Sequence, residues 1–330
     1  MDEEKKAFLS VFRKIQEYDA RNKTKKESWK ETAESLGLKH HADFPNDLSL
    51  ALLCDESYPS ALRGIPHPPH GIFWRGNLPD PSIPAIAIVG TRNASPHGLR
   101  AAKDFGSFFA KSGCSVVSGL AFGIDAAAHK GCLSAGGKTF AVLASPADDI
   151  TPSTNAPLAE EIVKRGGGII SEMAPGSSVL PHHFLARNRI ISGLSQAVVL
   201  IEAPEKSGSL ATARFALEQN KDVFVVPGAY DEDRYAGSHA LIREGAILVN
   251  NAKQVLEELK ISPHKEIRPE LENPAEKIIF EILSKHKKGL PIDILAEYAN
   301  LDVQTVAVAA TKLILKDAIQ ETENGFSIKE

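Results

Sequence analysis

Residues 85–98 read AIAIVGTRNASPHG and carry the clearest structural pattern of the chain. Its first five residues are apolar without alternation, which is typical of a strand that is covered on both faces. Gly90 then allows the backbone to turn tightly. A helical pattern follows at residues 98–112. The stretch therefore predicts a buried strand, a tight turn and a helix, the opening of a βαβ unit.

The same pattern repeats along the chain to residue 249. Further runs of β-branched and other apolar residues predict strands at residues 115–118, 139–143, 168–171, 197–201, 222–226 and 247–249. The intervening segments predict helices at residues 123–135, 158–165, 189–194, 210–220 and 241–244. This alternation predicts an α/β fold, a doubly wound, mainly parallel, Rossmann-like sheet with helices on both faces. Ligands of such sheets bind at the carboxyl ends of the strands.

Two regions precede the alternating segment. Residues 1–57 predict a short N-terminal helical region, in which Phe8, Val11, Phe12 and Ile15 recur at helical spacing. Residues 58–84 are rich in proline and glycine, which predicts an extended connector with one edge strand at residues 71–74. We assign the connector and the alternating segment to one Rossmann-like domain, residues 58–261.

A polar, charged linker at residues 262–273 predicts a domain boundary. Residues 274–330 show three helical patterns and then two short strands around Asn324 and Gly325, an order that predicts a small C-terminal winged-helix domain. Its third helix carries Lys312 and Lys316 late and only Gln304 near its start. Base-reading helices place Arg, Asn or Gln near their start. We therefore favour a protein-contact or dimer-supporting role for this domain.

The overall charge limits the function classes. The chain has 330 residues and a net charge of −4, which argues against a protein that coats duplex DNA nonspecifically, so any nucleic-acid contact must be local. The amino terminus lacks a signal-peptide pattern and no apolar run approaches a membrane span, which indicates a cytoplasmic protein without membrane contact. Cys54, Cys114 and Cys132 lie far apart and are interpreted as structural thiols, with redox or metal roles as the alternative.

The first strand end favours an anion over a dinucleotide cofactor. The fingerprint G-x-G-x-x-G is missing after the strand, so the sequence predicts no such cofactor. Thr91 offers a hydroxyl and a backbone N–H, and Arg92 places a fork-shaped cation at the same edge.

The second strand end predicts another anion cradle. Ser118 and Gly119 begin a loop that ends at Gly123, where a helix opens, so backbone N–H groups and the helix dipole point toward the edge that carries Arg92. Asp125 is interpreted as a partner of the helix terminus and His129 as a packing residue beside it. An acid–base pair is the alternative reading.

Two later strand ends add cations. Arg187, Asn188 and Arg189 lie at a predicted helix start, where one arginine can reach phosphate while the other holds structure. His182 and His183 resemble half a metal site but lack a third ligand, so we predict no metal.

After the fifth strand, Lys206 and the turn Ser207, Gly208 and Ser209 form a further phosphate cradle at a helix start. Three such edges on one sheet predict an extended anion, longer than the phosphate of one nucleotide. Phe122 and Phe184 near these loops are candidates to stack one base each.

Taken together, the motifs resemble the bacterial DNA-processing protein A family (DprA, also called Smf). The ordered set is GTR at residues 90–92, SGLA at 118–121, GIDAAAH at 123–129, RNRIISGLS at 187–195, EA at 202–203 with SGSL at 207–210, and VPG at 226–228. The resemblance covers roughly residues 58–259. It implies a homodimer that binds single-stranded DNA, loads the RecA recombinase onto it during natural transformation and displaces single-strand-binding protein, without catalysis.

By position, the resemblance implies a DNA pocket that contains the residues already singled out. These are Gly90, Thr91, Arg92, Ser118, Gly119, Arg187, Asn188, Arg189, Lys206, Ser207, Gly208 and Ser209. The alternative is an enzyme on the same fold, a nucleotide or phosphoribosyl hydrolase that uses Glu202 beside the Ser-Gly-Ser turn.

Overall fold

The structure is a computed structural model that describes residues 48–261 apart from Cys54, and residues 273–328 apart from Lys287, Lys288, Asp317, Glu323 and Asn324. The contacts divide the chain into two compact units, Met1–Pro263 and His264–Glu330. Each unit is described by itself.

The first unit is built on one twisted sheet. Its strands are β1 (Leu48–Leu52), β2 (Gly71–Gly76), β3 (Ala85–Val89), β4 (Ser115–Ser118), β5 (Thr139–Leu143), β6 (Gly168–Ser171), β7 (Ala197–Leu200), β8 (Asp222–Val225) and β9 (Ile247–Leu248). They lie in the order β1-β2-β6-β5-β4-β3-β7-β8-β9. From β6 to β9 neighbouring strands pair in parallel, whereas β2 pairs antiparallel with both β6 and β1. The chain order reverses between β3 and β7, so the predicted fold class is confirmed and its switch point lies there.

Helices cover both faces of the sheet. They are α1 (Ser60–Arg63), α2 (Pro96–Lys111), α3 (Ile124–Ser134), α4 (Ala156–Lys164), α5 (Pro181–Gly193), α6 (Ser209–Glu218), α7 (Ala236–Arg243) and α8 (Ala252–Glu258). Residues of α5, α6 and α7 share one core with the inner strands, and residues of α2, α3 and α8 share another. Every residue of β3, β5 and β7 is buried, which explains why these strands read as unbroken apolar runs.

The beginning of the sheet corrects two predictions. Leu48–Leu52 is a strand, although it falls inside the predicted helical region at residues 1–57; residues 1–47 lie outside the described part of the chain. Because β1 pairs along β2, the predicted strand at residues 71–74 is not an edge strand. The alternation of Leu48, Leu50 and Leu52 was the signal for β1.

Two helices begin earlier than predicted. Helix α5 begins at Pro181, eight residues before the predicted start at Arg189, and α7 begins at Ala236 instead of Leu241. In α5 the buried positions before Ile190 are Arg187 and Asn188, so no apolar period marks the first two turns. Asn188 and both neighbouring arginines therefore lie inside a helix and not at its start.

The second unit contains α9 (Pro274–Lys285), α10 (Ile292–Ala299) and α11 (Val303–Leu315), followed by the antiparallel pair β10 (Ile319–Thr322) and β11 (Gly325–Ile328). This is the order of elements that the sequence predicts for a winged helix. The helices pack around one apolar core, with Val306 and Leu313 of α11 fully buried. The opposite face of α11 exposes Val308 and Leu315.

The cysteines and the lengths of the helices bear on the predictions of structural thiols and of no membrane contact. Cys114 and Cys132 are buried free thiols, and burial raises the pKa of each, to about 11 and about 12. Cys54 lies outside the described residues. Among the helices that the structure describes, none is long and apolar enough to span a lipid bilayer.

Candidate functional site

A pocket of about 380 Å³ opens at the switch point, beside the carboxyl ends of β3 and β7. Loops from three strand ends and one face of α5 form its wall. The lining includes Gly90, Thr91, Arg92, Ala121, Asp125, Phe184, Leu185, Arg187, Asn188, Pro204, Lys206, Ser207, Gly208 and Ser209. A smaller cavity of about 80 Å³ adjoins it and adds Gly119, Phe122, Thr151 and Pro152.

The loop after β3 presents Arg92 to the pocket. A Cβ atom on Gly90 would lie 2.5 Å from Cγ1 of Ile124 and 3.0 Å from the carbonyl oxygen of Glu202, so only glycine fits there. The backbone N–H of Thr91 donates to that same carbonyl oxygen at 2.7 Å. The prediction that this N–H serves a ligand is therefore wrong, and Thr91 offers its hydroxyl alone. Arg92 is exposed.

The loop after β4 folds back on itself. The hydroxyl of Ser118 is fully buried and donates to the carbonyl oxygen of Ile88 at 2.6 Å, so Ser118 holds the strands together and does not line the pocket. The N–H of Gly119 donates to Oδ2 of Asp125 at 3.1 Å. Asp125 thus braces the loop before α3, and it lies in the first turn of that helix, where the sequence places an acidic partner of the helix terminus. Phe122, in the same loop, is 48% exposed.

Helix α5 contributes Arg187 and Asn188, which are both buried. Nη1 of Arg187 donates to the carbonyl oxygens of Gly119, at 2.8 Å, and Val142. The side-chain amide of Asn188 donates to the carbonyl oxygen of Gly208 at 3.1 Å. One helix therefore contacts the loops that follow β4 and β7 and the carboxyl end of β5.

Arg189 points away from the pocket. It forms an ion pair with Glu172 at 2.7 Å and donates to the carbonyl oxygen of His67 at 2.8 Å. It is absent from the lining of both cavities. The sequence reasoning that one of the two arginines holds structure fits Arg189, but its inclusion among the pocket residues does not fit this geometry.

The loop after β7 carries the second exposed cation. Lys206 is exposed, and the hydroxyls of Ser207 and Ser209 lie 2.7 Å apart at the start of α6. A Cβ atom on Gly208 would meet no heavy atom within 4 Å. The N–H of Ser207 donates to the carbonyl oxygen of Pro204 at 3.0 Å, and that of Ser209 donates to the hydroxyl of Ser207 at 3.3 Å. The predicted cradle therefore offers hydroxyls and not these two N–H groups.

The charge of the pocket is opposite to that of the chain. Its lining contains three cations, Arg92, Arg187 and Lys206, and one acid, Asp125, whereas the whole chain has a net charge of −4. Burial lowers the pKa of Arg187 to about 10, with Asp125 opposing this shift, so the guanidinium remains charged at neutral pH. Burial raises the pKa of the Asp125 carboxyl, whereas Arg187 and the N–H donors of the loop act to lower it.

Glu202, on which the hydrolase alternative depends, lies outside the pocket. Glu202 is fully buried and accepts hydrogen bonds from the N–H of Ser95 at 3.1 Å and from its hydroxyl at 2.6 Å, at the start of α2. It does not line either cavity. Within the described residues, no group of three or more His, Cys, Asp or Glu side chains is placed to hold a metal ion.

Sequence reasoning missed part of the wall. Asp125 was read as a helix-terminus residue, and Leu185, Pro204, Thr151 and Pro152 were not singled out. Only the charge of Asp125, six residues after Gly119, offered a signal, because Leu, Pro and Thr residues of a pocket wall look like the same residues elsewhere in a sequence.

Comparisons with known proteins agree on one family. Residues 49–260 match the family model of DNA recombination-mediator protein A. Protein Smf of Escherichia coli is 35% identical over 279 residues, covering 82% of this chain and 75% of that protein. Protein Smf of Synechocystis is 43% identical over 213 residues, but the alignment spans only 53% of its length and 63% of this chain.

Two solved structures give the same result. DNA processing protein A of Streptococcus pneumoniae superimposes with a TM-score of 0.60 and 38% identity over 64% of this chain and 75% of that one. DNA processing protein A of Helicobacter pylori, described for its single-stranded DNA binding mode, superimposes with a TM-score of 0.57 and 29% identity over 66% of this chain and 97% of that one.

Proposed function

The chain belongs to the DNA recombination-mediator protein A family, and on this premise we propose that its switch-point pocket binds the backbone phosphates of single-stranded DNA. The observation that carries the proposal is the convergence of Arg92 and Lys206, both exposed, on one pocket of a chain whose net charge is negative. Affinity for DNA follows the phosphates that are neutralised locally, so the overall charge is no obstacle.

The direct contacts fall to the groups that the protein leaves accessible. Arg92 and Lys206 supply the cations, the Thr91 hydroxyl supplies a neutral donor, and the hydroxyls of Ser207 and Ser209 lie at the start of α6. These cations and hydroxyls bind any phosphodiester equally. The proposal therefore includes weak sequence preference and an affinity that falls steeply as the salt concentration rises.

The aromatic side chains favour a single strand over a duplex. Phe122 is half exposed, and Phe184 lies under Arg92 at the pocket mouth. An aromatic ring beside a phosphate site can stack on an unpaired base, but the bases of a duplex have no free faces.

A role in recombination follows from the family. We extend the proposal to a homodimer that delivers bound single-stranded DNA to the RecA recombinase and displaces single-strand-binding protein during DNA uptake. The test is RecA ATP hydrolysis on strands precoated with single-strand-binding protein. The protein is expected to shorten the lag before hydrolysis, and a lag that it leaves unchanged at saturating concentration would contradict this extension.

No catalytic step is proposed for the pocket. The hydrolase alternative needs Glu202 beside the phosphate cradle, but Glu202 is fully buried and hydrogen-bonded to Ser95. We expect no base release from nucleoside monophosphates. For the binding function itself, the test is fluorescence anisotropy of a labelled oligo-dT against a duplex of equal length; tight binding of the single strand supports the proposal, and equal or weaker binding than the duplex would refute it.

A further inference from the structure

The guanidinium of Arg187 is occupied by the protein itself. Nη1 donates to the carbonyl oxygens of Gly119 and Val142, and Nε donates to Oδ1 of Asn188 at 3.3 Å. The side chain is 6% exposed. Nη1 is thus committed to acceptors from the ends of two neighbouring strands, and Nε to the side chain of the next residue of α5, so the guanidinium is not free to swing toward a ligand.

Asn188 continues this contact to the opposite side of the pocket. Its Oδ1 accepts from Arg187, and its amide nitrogen donates to the carbonyl oxygen of Gly208. Gly208 belongs to the loop that carries Lys206, whereas Gly119 belongs to the loop after β4. Two adjacent residues of α5 therefore connect the two loops that face each other across the pocket.

Asp125 holds the same Gly119 loop through a second contact. Its Oδ2 accepts the N–H of Gly119, while the carbonyl oxygen of that same residue accepts from Arg187. A Cβ atom on Gly119 would lie 2.7 Å from both Nη2 of Arg187 and Oδ2 of Asp125, so the glycine is held between two opposite charges. This placement fixes both polar groups of the Gly119 backbone.

We propose that Arg187, Asn188 and Asp125 are positioning residues, which set the spacing of the phosphate-binding loops, and that Arg187 does not itself grip phosphate. The inference rests on the proposed binding of single-stranded DNA. It divides the three cations of the pocket into two that contact the ligand, Arg92 and Lys206, and one that holds the wall.

The sign of one substitution separates this proposal from a purely electrostatic one. If Asp125 only contributed a negative charge, Asp125→Asn would strengthen binding of a polyanion. If Asp125 holds the Gly119 loop, the same change weakens binding, because an amide nitrogen replaces one acceptor beside a guanidinium and an N–H donor. Glu205→Gln is the matched control, since Glu205 is an exposed acid next to Lys206 and its substitution removes the same charge.

A charge-preserving substitution tests Arg187. Lysine retains the charge and binds phosphate well, but its single nitrogen cannot reproduce the fork that joins Gly119, Val142 and Asn188. A direct phosphate ligand would tolerate Arg187→Lys about as well as Arg92→Lys. A positioning residue would not.

The experiment measures oligo-dT affinity of the full chain by anisotropy for the wild type and these four variants. We expect at least a fivefold loss for Asp125→Asn and for Arg187→Lys, a smaller loss for Arg92→Lys, and equal or tighter binding for Glu205→Gln. The proposal is overturned if Asp125→Asn binds as tightly as the wild type or more tightly, or if Arg187→Lys loses no more than Arg92→Lys.

Hydrogen exchange of the DNA-free protein gives a readout that does not depend on the proposed function. Asp125→Asn and Arg187→Lys are each expected to speed amide exchange in residues 119–123 and 207–209. Strand β8 should keep its wild-type protection, which would show that the fold is intact. Unchanged exchange in these loops overturns the positioning role even where affinity falls. If the wild type binds no single strand but the two variants show the expected faster exchange, the binding function is refuted and the positioning role is supported.

Discussion

The guanidinium carbon of Arg92 lies 5.2 Å from the centroid of the Phe184 ring. This cation–π contact joins the loop after β3 to α5 across the mouth of the pocket. It holds an exposed cation in a defined direction before any ligand arrives, so less side-chain entropy is lost on binding. One face of the Phe184 ring therefore contacts Arg92, and we expect the other to stack on an unpaired base.

Phe184→Ala is expected to weaken binding of oligo-dT by about 1–3 kcal/mol, roughly 5-fold to 150-fold, because the stacked base and the restraint on Arg92 are lost together. Anisotropy titrations measure the effect. Leu217→Ala, which removes an exposed apolar side chain of α6 outside the pocket lining, is the control and is expected to bind as the wild type does. An oligomer with abasic sites should show a much smaller penalty for Phe184→Ala, and an equal penalty on both strands would argue against stacking.

Two pocket glycines are expected to differ in their tolerance of alanine. Gly90→Ala places a methyl group 2.5 Å from Ile124, so we expect it to lower the free energy of unfolding by about 1–3 kcal/mol. Gly208→Ala meets no neighbour within 4 Å, and φ of −63° suits any residue, so its change should stay within about 0.5 kcal/mol. Urea unfolding measures both; comparable losses at the two positions would contradict the described backbone packing.

His129 is expected to make the fold sensitive to acid. Its Nδ1 lies 2.7 Å from the hydroxyl oxygen of Thr139, whose own proton goes to the carbonyl oxygen of Val116, so Nδ1 carries the hydrogen. Burial, with a smaller contribution from Arg187, lowers the pKa of His129 to about 3. The unfolded chain, with a pKa near 6.5, binds the additional proton between these values, so stability falls as the pH drops from about 6.5 toward 3.

The measurement is the free energy of unfolding in urea at pH 7 and pH 5. Between these values the wild type should lose about 2 kcal/mol more than His129→Gln, because glutamine does not titrate and the other groups contribute equally to both proteins. The comparison uses the pH dependence alone, so a difference in absolute stability between the two proteins does not disturb it. Parallel pH profiles would show that His129 is not held neutral by burial.

The sheet could be predicted because its strands are buried on both faces. An unbroken run such as Ala85–Val89 followed by a turn and a helix has few alternative readings. Strand β1 was missed because three alternating leucines are too short a signal beside a polar, helical-looking region. The first turns of α5 were missed because buried Arg187 and Asn188 occupy the inward positions, where periodicity analysis expects apolar residues.

The site could be predicted as a set of loops but not as a set of contacts. Parallel topology brings the strand ends together, so Arg92 and Lys206 were correctly expected at one edge. The sequence does not show that Ser118 donates to Ile88 or that Arg189 pairs with Glu172, because these partners are brought close only by the folded sheet. The same holds for Asp125, whose partner is the backbone of Gly119.

The most direct test of the account is the salt dependence of oligo-dT binding by the wild type and Arg92→Ala, measured by anisotropy. Arg100→Ala, which removes an exposed arginine of α2 outside the pocket lining, is the matched control. We predict that log Kd of the wild type rises steeply with log salt, and that Arg92→Ala weakens binding and reduces that slope by about 0.7, the contribution of one phosphate on a single strand. A wild type that does not bind, or an Arg92→Ala titration that matches Arg100→Ala at every salt concentration, would contradict the placement of single-stranded DNA in this pocket.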